Sequence, residues 1–508
     1  MDKKVDLKLV ALMGVIIIFT IILIMSYQFK ANAISISSVG VIIIEIGVII
    51  CSIICALASG YIINKKEVKP EKALLYILPI FCIVLSAVIP VGRGHDEYNH
   101  WIKSYEVSVG EFFTPIVEGN SSANVPEAIL NVIVEKTKGV FKYSDNIGLL
   151  NVKLDESAKT KVQINNIATY CFVQYIPQAI GIAVGRIITK VPLLLAYFGR
   201  TFNFAVCITL MYFAIKNIPF GKNIMLALSI LPITIEGFAT LSSDGITIAI
   251  ACFFISYVFK LMYDEKTKCG KKELLVLGVS GAILALCKFV YLPIVFLTVL
   301  IPKEKFENNK ERIISITLIV TIAVILNLLW LYIGSTSLVQ LNPNATKYKF
   351  MQILTNPIEY VEKVIYTFTN NFDMYFESCF GGQLEWDEVV KMPIIPYITC
   401  AVMLIATMSE EKLKDIFDKK QTIVMMFIIL AVAGLIFTSI FLQWTSDKIE
   451  INGVQGRYFL PILPLIMFLI GKIKIKTLYK TQNITKLICI TGYIVMIYTA
   501  IATMAIHL

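Results

Sequence analysis

The chain has 508 residues, of which 57% are hydrophobic and only 16% are charged, and its mean hydropathy is +0.75. Soluble globular proteins carry about a quarter charged residues, so this composition excludes an ordinary soluble enzyme. The formal net charge of +10 does not indicate a nucleic-acid partner. The lysines cluster in short segments between hydrophobic runs, which is typical of cytoplasmic loops.

Apolar runs long enough for membrane helices recur along the whole chain. A helix needs about 20 apolar residues to cross the hydrocarbon layer. The predicted spans are 8–27, 38–63, 72–90, 192–215, 222–240, 244–262, 272–287, 289–302, 313–333, 393–409, 421–442, 456–471 and 484–506. The fold class is therefore an all-α polytopic bundle of about 13 transmembrane helices, with residues 1–508 as one multispanning membrane domain.

Loop charge predicts the orientation of this bundle. With a cytoplasmic N-terminus, the short lysine-rich connections all lie inside and the C-terminus lies outside the cytoplasm. Two large loops, 91–191 and 334–392, then face outward. Residues 166–187 are apolar enough to span, but counting them as a span would invert every later loop. They are predicted to be interfacial or re-entrant helices.

Several common site types are not indicated. The eleven cysteines lie mostly inside apolar runs and form no CxxC pair, so neither a disulfide nor a zinc site is predicted. No P-loop, Rossmann fingerprint, HExxH motif or serine nucleophile elbow occurs, so nothing indicates ATP or a dinucleotide.

A dense polar cluster follows the third predicted span, directly after Pro90. It consists of Arg93, His95, Asp96, Glu97, Tyr98, His100 and Trp101. Ionisable groups at a membrane boundary mark functional sites, so Asp96 and Glu97 are predicted catalytic residues, with Asp96 as general base toward an acceptor hydroxyl. Alternatively, Asp96, Glu97 and His100 could hold a divalent cation such as Mg²⁺ or Mn²⁺. The structural alternative is a solvated turn after the helix.

Arginine usage gives a second indication. Only five of the 46 basic residues are arginines, and both Arg93 and Arg457 fall on the predicted outer side. A guanidinium binds phosphate through a bidentate fork, which a lysine cannot do. Arg457 lies in the segment GVQGRYFLP beside Gln455 and Tyr458, where two glycines would let backbone amides approach a ligand. The alternative is that Arg457 only anchors a helix end.

Further polar residues fall on the same predicted side. Asp244 follows Ser242-Ser243 and could cap the sixth span, a role that explains it as well as a functional one. Lys288 is a cation on an otherwise lysine-poor face. Arg200 lies inside the fourth span and needs a partner, for which Glu45 and Glu236 are candidates. The acidic and aromatic segment 380–388, which contains Gln383 and Trp386, resembles a sugar-contacting surface. The alternative is that Trp386 is an ordinary tryptophan at the membrane interface.

Four segments resemble one known family. They are PVGRGHDEYNHWIKSYEVSVGEFF (90–113), YIPQAIGIAVGR (175–186), LPITIEGFATLSSDGI (231–246) and GVQGRYFLPILPL (453–465). They are similar to a bacterial multispanning membrane family catalogued as domain of unknown function 2142, over about residues 70–470. That family in turn looks like the GT-C glycosyltransferases, which transfer sugar from a polyprenyl-phosphate carrier outside the cytoplasm.

The resemblance implies a membrane enzyme of the bacterial cell envelope that acts on a polyprenyl-phosphate-linked sugar and a glycan or lipid acceptor. By that likeness, Asp96 matches the essential acidic residue of the first outer loop, and Glu97 follows it. Arg457 would correspond to a late-chain basic residue near the carrier phosphate. The charge and position of the residues themselves assign donor binding to Arg93, Lys288, Gln455, Arg457 and Tyr458. The substrate pocket would contain His95, Tyr98, His100, Trp101, Asp244, Gln383 and Trp386.

Two other functions fit the same sequence. A transporter or flippase of lipid-linked saccharides would also want outer arginines and intramembrane charges, but it needs a polar path through the full membrane thickness. A non-catalytic cell-envelope assembly protein would tolerate neutral substitutions throughout 93–100. Variants of Arg93, Asp96 and Arg457 distinguish the three.

Overall fold

The computed structural model describes residues 68–131, 149–165, 167–338, 343–385, 388–443, 450–473 and 481–507. The predicted spans 8–27 and 38–63 lie outside the described residues. The described part of the chain is mostly helical, as the long apolar runs predict, and it contains two small antiparallel sheets.

The first described span is α1, and a long connection leads from it to the next. The elements of this part are α1 (Pro70–Val88), α2 (Glu97–Ser108), β1 (Ile116–Val117), β2 (Asn120–Pro126), α3 (Glu127–Asn131), β3 (Lys159–Gln163) and α4 (Ile176–Ile188). Short 3-10 turns occur at Leu149–Asn151 and Phe172–Tyr175. The three strands form one antiparallel sheet in the order β1-β2-β3.

The middle of the chain contributes α5 (Pro192–Asn217), α6 (Lys222–Ser229), α7 (Pro232–Ala239), α8 (Ser243–Tyr263), α9 (Lys271–Cys287) and a 3-10 segment, Phe289–Leu300. The predicted span 222–240 is broken, because α6 and α7 meet at an angle of 65°. Pro232 begins α7 and Leu231 is extended, as expected where a proline cannot continue the preceding helix.

The last part begins with α10 (Asn309–Ser335). A second long connection holds α11 (Pro343–Thr355), α12 (Pro357–Asn370), α13 (Phe372–Cys379), β4 (Gln383–Leu384) and β5 (Val390–Lys391). The chain continues through α14 (Ile395–Met408), α15 (Lys419–Gln443), a 3-10 segment at Gly456–Ile462, α16 (Leu463–Ile470) and α17 (Thr481–His507). Two further 3-10 turns lie at Lys303–Lys305 and Glu411–Lys414.

Six described helices are long and apolar enough to cross a membrane, or seven if α6 and α7 form one bent span. The six are α1, α5, α8, α10, α15 and the part of α17 from Asn483 to His507. Predicted spans at 289–302, 393–409 and 456–471 correspond to shorter apolar helices. The segment 166–187, predicted to be interfacial, also contains only a short apolar helix, Phe172–Ile188. The count of 13 stays a prediction.

Burial separates a central span from two peripheral ones. The apolar window of α8 is 89% buried inside the protein, whereas those of α10 and α15 are only 22% and 28% buried. Both peripheral helices pack against the 3-10 segment Phe289–Leu300. Because apolar side chains exposed on a spanning helix face lipid, α10 and α15 form part of the lipid-facing surface.

Candidate functional site

One cavity of about 610 Å³ is built from both charged and apolar residues. The charged residues, the histidine and the tyrosines that line it are Asp96, His100, Tyr170, Asp244, Lys288, Tyr291, Arg457 and Tyr458. Its apolar lining includes Leu286, Phe289, Trp330, Leu331, Ile436 and Ile440. Part of this lining comes from α10 and α15, the two helices that form part of the lipid-facing surface. The cavity therefore adjoins that surface.

Four charges of alternating sign form the polar end of the cavity. Arg457 donates from Nη2 to Asp96 Oδ2 over 2.7 Å. Arg457 Nε lies 3.0 Å from Asp244 Oδ2, and Lys288 Nζ donates to the other oxygen of Asp244. Residues from four separate parts of the chain thus meet at one point, and Asp244 bridges the two cations.

Arg457 is not saturated by these contacts. Its side chain is 5% exposed, yet Nη1 has no hydrogen-bond partner in the described structure. Nε is also without one, because its close approach to Asp244 is poorly aligned for donation. Buried donors are rarely left unpaired. An arginine with two free donors beside a cavity is therefore suited to bind an anionic ligand.

Tyrosines surround the two cations. The Lys288 ammonium lies 5.4 Å from the ring centroids of both Tyr170 and Tyr458. The Arg457 guanidinium lies 5.5 Å from the Tyr458 ring, and Tyr291 donates its hydroxyl to the Tyr458 carbonyl over 2.9 Å. Aromatic faces attract cations without neutralising them. The two cations are balanced by the carboxylates of Asp96 and Asp244.

Asp96 has an unusual backbone conformation, with φ of 56° in the left-handed region. Aspartate and asparagine tolerate this region better than most residues. The neighbouring Glu97 accepts five hydrogen bonds, from Arg200 Nε and Nη2 and from three backbone amides, those of Gly92, Gly94 and Leu241. Glu97 is fully buried. It does not line the cavity, so the structure places it as the residue that holds the Asp96 turn.

Arg200 pairs with Glu97 rather than with the partners expected for it. Glu45 lies outside the described residues, and Glu236 accepts a 2.9 Å hydrogen bond from His95 Nδ1 instead. Arg200 also donates to the carbonyls of Ser86, Ile89 and Pro90 at the end of α1. A charge inside a spanning helix is thereby fully satisfied.

His100 lines the cavity as a neutral base. Its Nδ1 lies 2.7 Å from the Tyr175 hydroxyl. Burial lowers the pKa of His100 to about 4, although the carboxylate of Asp96 acts in the opposite direction. At neutral pH the ring therefore carries no charge, and its Nδ1 forms one hydrogen bond with the Tyr175 hydroxyl.

A metal site at Asp96, Glu97 and His100 is not formed. Glu97 is directed to Arg200, and His100 to Tyr175. Within the residues that the structure describes, no three His, Cys, Asp or Glu side chains come together as metal ligands. The residues present therefore do not fit a divalent cation held by that triad.

Two predicted site residues belong to a neighbouring cluster. His95 binds Glu236, and Arg93 Nε lies 3.8 Å from Glu385. Glu385 is also the partner of His507 at the end of α17, with nitrogen–oxygen distances of 2.8 and 2.9 Å. Neither His95 nor Arg93 lines the large cavity, so the two arginines predicted to share a phosphate are separated.

Three further predicted pocket residues are placed in the packing of the long connections. Trp101 is fully buried and donates from Nε1 to the Ile129 carbonyl over 3.2 Å. Tyr98 packs against the apolar cluster that contains Trp101. Gln383 donates to Glu377 over 3.0 Å. The remaining one, Trp386, lies outside the described residues.

The glycines around Arg457 have different roles. Gly453 has φ of 99° and lines the cavity, as does Gln455, whose Oε1 is buried without a partner. Gly456 instead packs against α13, where a Cβ would lie 2.0 Å from the Tyr375 carbonyl oxygen. Its amide donates to Ser378 rather than to a ligand site. Only the first glycine approaches the cavity.

Sequence reasoning missed several lining residues. Among them are Tyr170, Asn327, Trp330, Ser439 and Gln443. A signal was present for Asn327, because a polar amide within an apolar run marks an interior face. Asn327 is buried and donates to the Ala285 carbonyl over 2.7 Å. Tyr170 carried no such signal, since tyrosine is common near membrane surfaces.

The fold and the cavity define a multi-pass helical membrane protein with an amphipathic cavity beside its lipid-facing surface. A family model described as a predicted membrane protein (DUF2142) matches residues 78–466, and the chain belongs to this family. No curated protein matches the chain, and no solved structure does. The matched range contains all four members of the charge cluster, Asp96, Asp244, Lys288 and Arg457.

Proposed function

We propose that this protein is a GT-C-like glycosyltransferase that transfers a sugar from a polyprenyl-phosphate carrier to an acceptor hydroxyl of a cell-envelope glycan or lipid. The observation that carries the proposal is the amphipathic cavity, in which Arg457 and Lys288 lie beside Asp96 and Asp244 and part of the apolar wall comes from the peripheral helices α10 and α15. The site is proposed for the outer face of a bacterial cell membrane, by the distribution of lysines between the spans.

The proposed binding of the phosphate donor rests on the hydrogen-bond donors of Arg457 that have no hydrogen-bond partner. A phosphate presents several acceptor oxygens, and a guanidinium donates strong charge-assisted hydrogen bonds to such oxygens. Arg457 has two donors without partners, and Lys288 adds a second positive charge held between two tyrosine rings. The apolar walls on α10 and α15 suit the first isoprene units of the carrier.

The chemical part of the proposal rests on Asp96. Only Oδ2 of Asp96 is occupied by Arg457, which leaves Oδ1 to accept a proton. The acceptor oxygen would form a bond to the anomeric carbon while the bond from that carbon to the phosphate oxygen breaks. The electron pair leaves with the polyprenyl phosphate, and the acceptor proton passes to Asp96. Arg457 and Lys288 would stabilise the charge that develops on the departing phosphate.

Asp96→Asn tests the base directly. Asparagine tolerates the left-handed backbone region, and its carbonyl can still accept from Arg457, so the variant keeps the fold and the donor site. We expect complementation of a deletion strain to fail, measured as envelope glycan composition. Binding of a short-chain polyprenyl phosphate to the purified protein should remain.

Glu118→Gln is the matched control. Glu118 is an exposed carboxylate with φ of 52° in the same long connection, on the turn between β1 and β2. The control removes the same charge from the same type of backbone position and should complement fully. Normal glycan in the Asp96→Asn strain would rule out Asp96 as the base. Polyprenyl phosphate that fails to bind the unmodified protein would rule out the donor class.

A further inference from the structure

Helix α12 packs on the span α15 through one of its faces. The Tyr360 hydroxyl lies 2.7 Å from Thr438 Oγ1. The Lys363 ammonium lies 5.2 Å from the centre of the Phe441 ring, and Thr367 on the same side is buried. Thr438 and Phe441 are within the last two turns of α15. This contact fixes α12 beside the end of the span.

A second face of α12 is apolar and uncovered in this structure. Ile358, Val361 and Ile365 are 75%, 52% and 57% exposed. Phe368, 40% exposed, borders the α15 contact, where its ring centroid lies 6.5 Å from that of Phe437. At about 100° per residue these four side chains fall within a sector of roughly 80°. They form a continuous stripe, which we call the apolar stripe.

A third face of α12 is polar. Glu359, Glu362, Thr369 and Asn370 are exposed, and they occupy the sector between the apolar stripe and the α15 contact, together with Tyr366, which is 45% exposed. A helix in water needs only two kinds of face, one packed on protein and one polar. Three faces are expected where protein, water and hydrocarbon all meet the same helix.

The neighbouring helix α11 has the same character. Tyr348, Phe350, Met351 and Leu354 are exposed large apolar residues. The Lys349 ammonium lies 5.8 Å from the Phe441 ring. Both helices therefore meet α15 at one level, near its C-terminal end. Because the rest of α15 faces lipid, this level corresponds to the boundary between acyl chains and headgroups.

We infer that α12 is an in-plane interfacial helix whose apolar stripe inserts into the membrane leaflet on the cavity side. The occupant of the stripe is lipid, because the stripe continues the lipid-facing surface of α15. Other residues at the same end of α15, Ile436, Ser439, Ile440 and Gln443, line the cavity. The interfacial helix thus anchors the end of the span that forms one cavity wall. This inference does not depend on the proposed chemistry.

Spin labels on the full-length protein test the inference. Ile365→Cys places a nitroxide on the apolar stripe, and Glu359→Cys, the matched control, places one on the polar face of the same helix. Both positions are exposed in the protein alone. The protein is placed in nanodiscs of phosphatidylethanolamine and phosphatidylglycerol, and the unmodified chain, labelled in parallel, gives the background from native cysteines.

We expect the label at 365 to collide with oxygen, which concentrates in hydrocarbon, and the label at 359 to collide with a water-soluble nickel complex. The ratio of the two accessibilities should be several-fold higher at 365, and Val361→Cys should behave like 365. Equal ratios on both faces would show that the stripe faces water and would overturn the inference. Spin–spin broadening at 365, or protection from both reagents, would indicate a second copy or another protein and would overturn it as well.

Discussion

Two arginine–carboxylate clusters meet at consecutive residues, Asp96 and Glu97, and they differ in how completely they are satisfied. Arg200 is fully buried, forms two hydrogen bonds to Glu97 and donates to three carbonyls. Arg457 forms one hydrogen bond to Asp96 and keeps two buried donors without partners beside a cavity. The first cluster is complete without a ligand, and the second is not.

The comparison shows how to separate structural from functional charges in a membrane protein. Both clusters would be equally conspicuous in a sequence, since ionisable residues near spans are rare. Hydrogen-bond saturation distinguishes them, because a buried group that lacks partners implies a water, an ion or a ligand. On this criterion the Glu97–Arg200 pair is structural, and the Asp96–Arg457 pair is the candidate ligand site.

The largest effect is expected for Arg200→Met. It leaves the Glu97 carboxylate buried and unpaired, which should destabilise the protein by roughly 3–5 kcal/mol. The measurement is the Tm or the folded yield in mild detergent. Arg186→Met is the control, since Arg186 forms a partly exposed pair with Glu156 at 3.0 Å, and such pairs contribute about 0–1 kcal/mol. Equal Tm values for the two variants would contradict the structural assignment.

Arg457→Met should affect ligand binding more than folding. Loss of charge-assisted hydrogen bonds worth about 1.5–3 kcal/mol should weaken binding of a short-chain polyprenyl phosphate roughly 10- to 100-fold. The control is Arg312→Met, because Arg312 donates to the carbonyls of Val299 and Ile301 and does not line the cavity. If both variants bound the probe like the unmodified protein, Arg457 would have no part in phosphate recognition.

Lys288→Met should have a smaller effect of the same kind. The variant keeps an unbranched apolar side chain between Tyr170 and Tyr458 but removes the point charge, so binding should weaken by about tenfold, equivalent to 1.4 kcal/mol. Lys288→Arg should retain most of the affinity. The control is Lys190→Met, because Lys190 is exposed and its Nζ lies 3.5 Å from Glu156 Oε1; this variant should leave the affinity unchanged. If Lys288→Met also left the affinity unchanged, Lys288 would have no part in binding the phosphate.

The smallest effect concerns pH and His100. Its pKa is lowered from 6.5 to about 4 in the folded protein, so between these values the unfolded chain binds more protons. Stability is therefore fully present above pH 6.5 and is lost as the pH falls toward 4. His100→Gln should lose less Tm over the same pH range. An identical pH slope in the variant would show that His100 does not contribute.

The sequence alone determined much of this protein's character. Hydrophobic runs long enough to span a membrane predicted a helical multi-pass protein, because every backbone polar group in hydrocarbon must be satisfied internally. The rarity of charges near such runs also drew attention to Asp96, Asp244, Lys288 and Arg457, which the structure brings together. These four were predictable because the cost of each charge is a local property of its residue.

The tertiary structure decided which of the neighbouring charges share the cavity. Asp96 and Glu97 are adjacent in sequence, yet one faces Arg457 and the other faces Arg200. The left-handed backbone at Asp96 and the start of α2 at Glu97 direct the two carboxylates apart. Arg93 and His95 are likewise drawn to Glu385 and Glu236. Such pairings depend on the packing of segments more than a hundred residues apart, which no local pattern encodes.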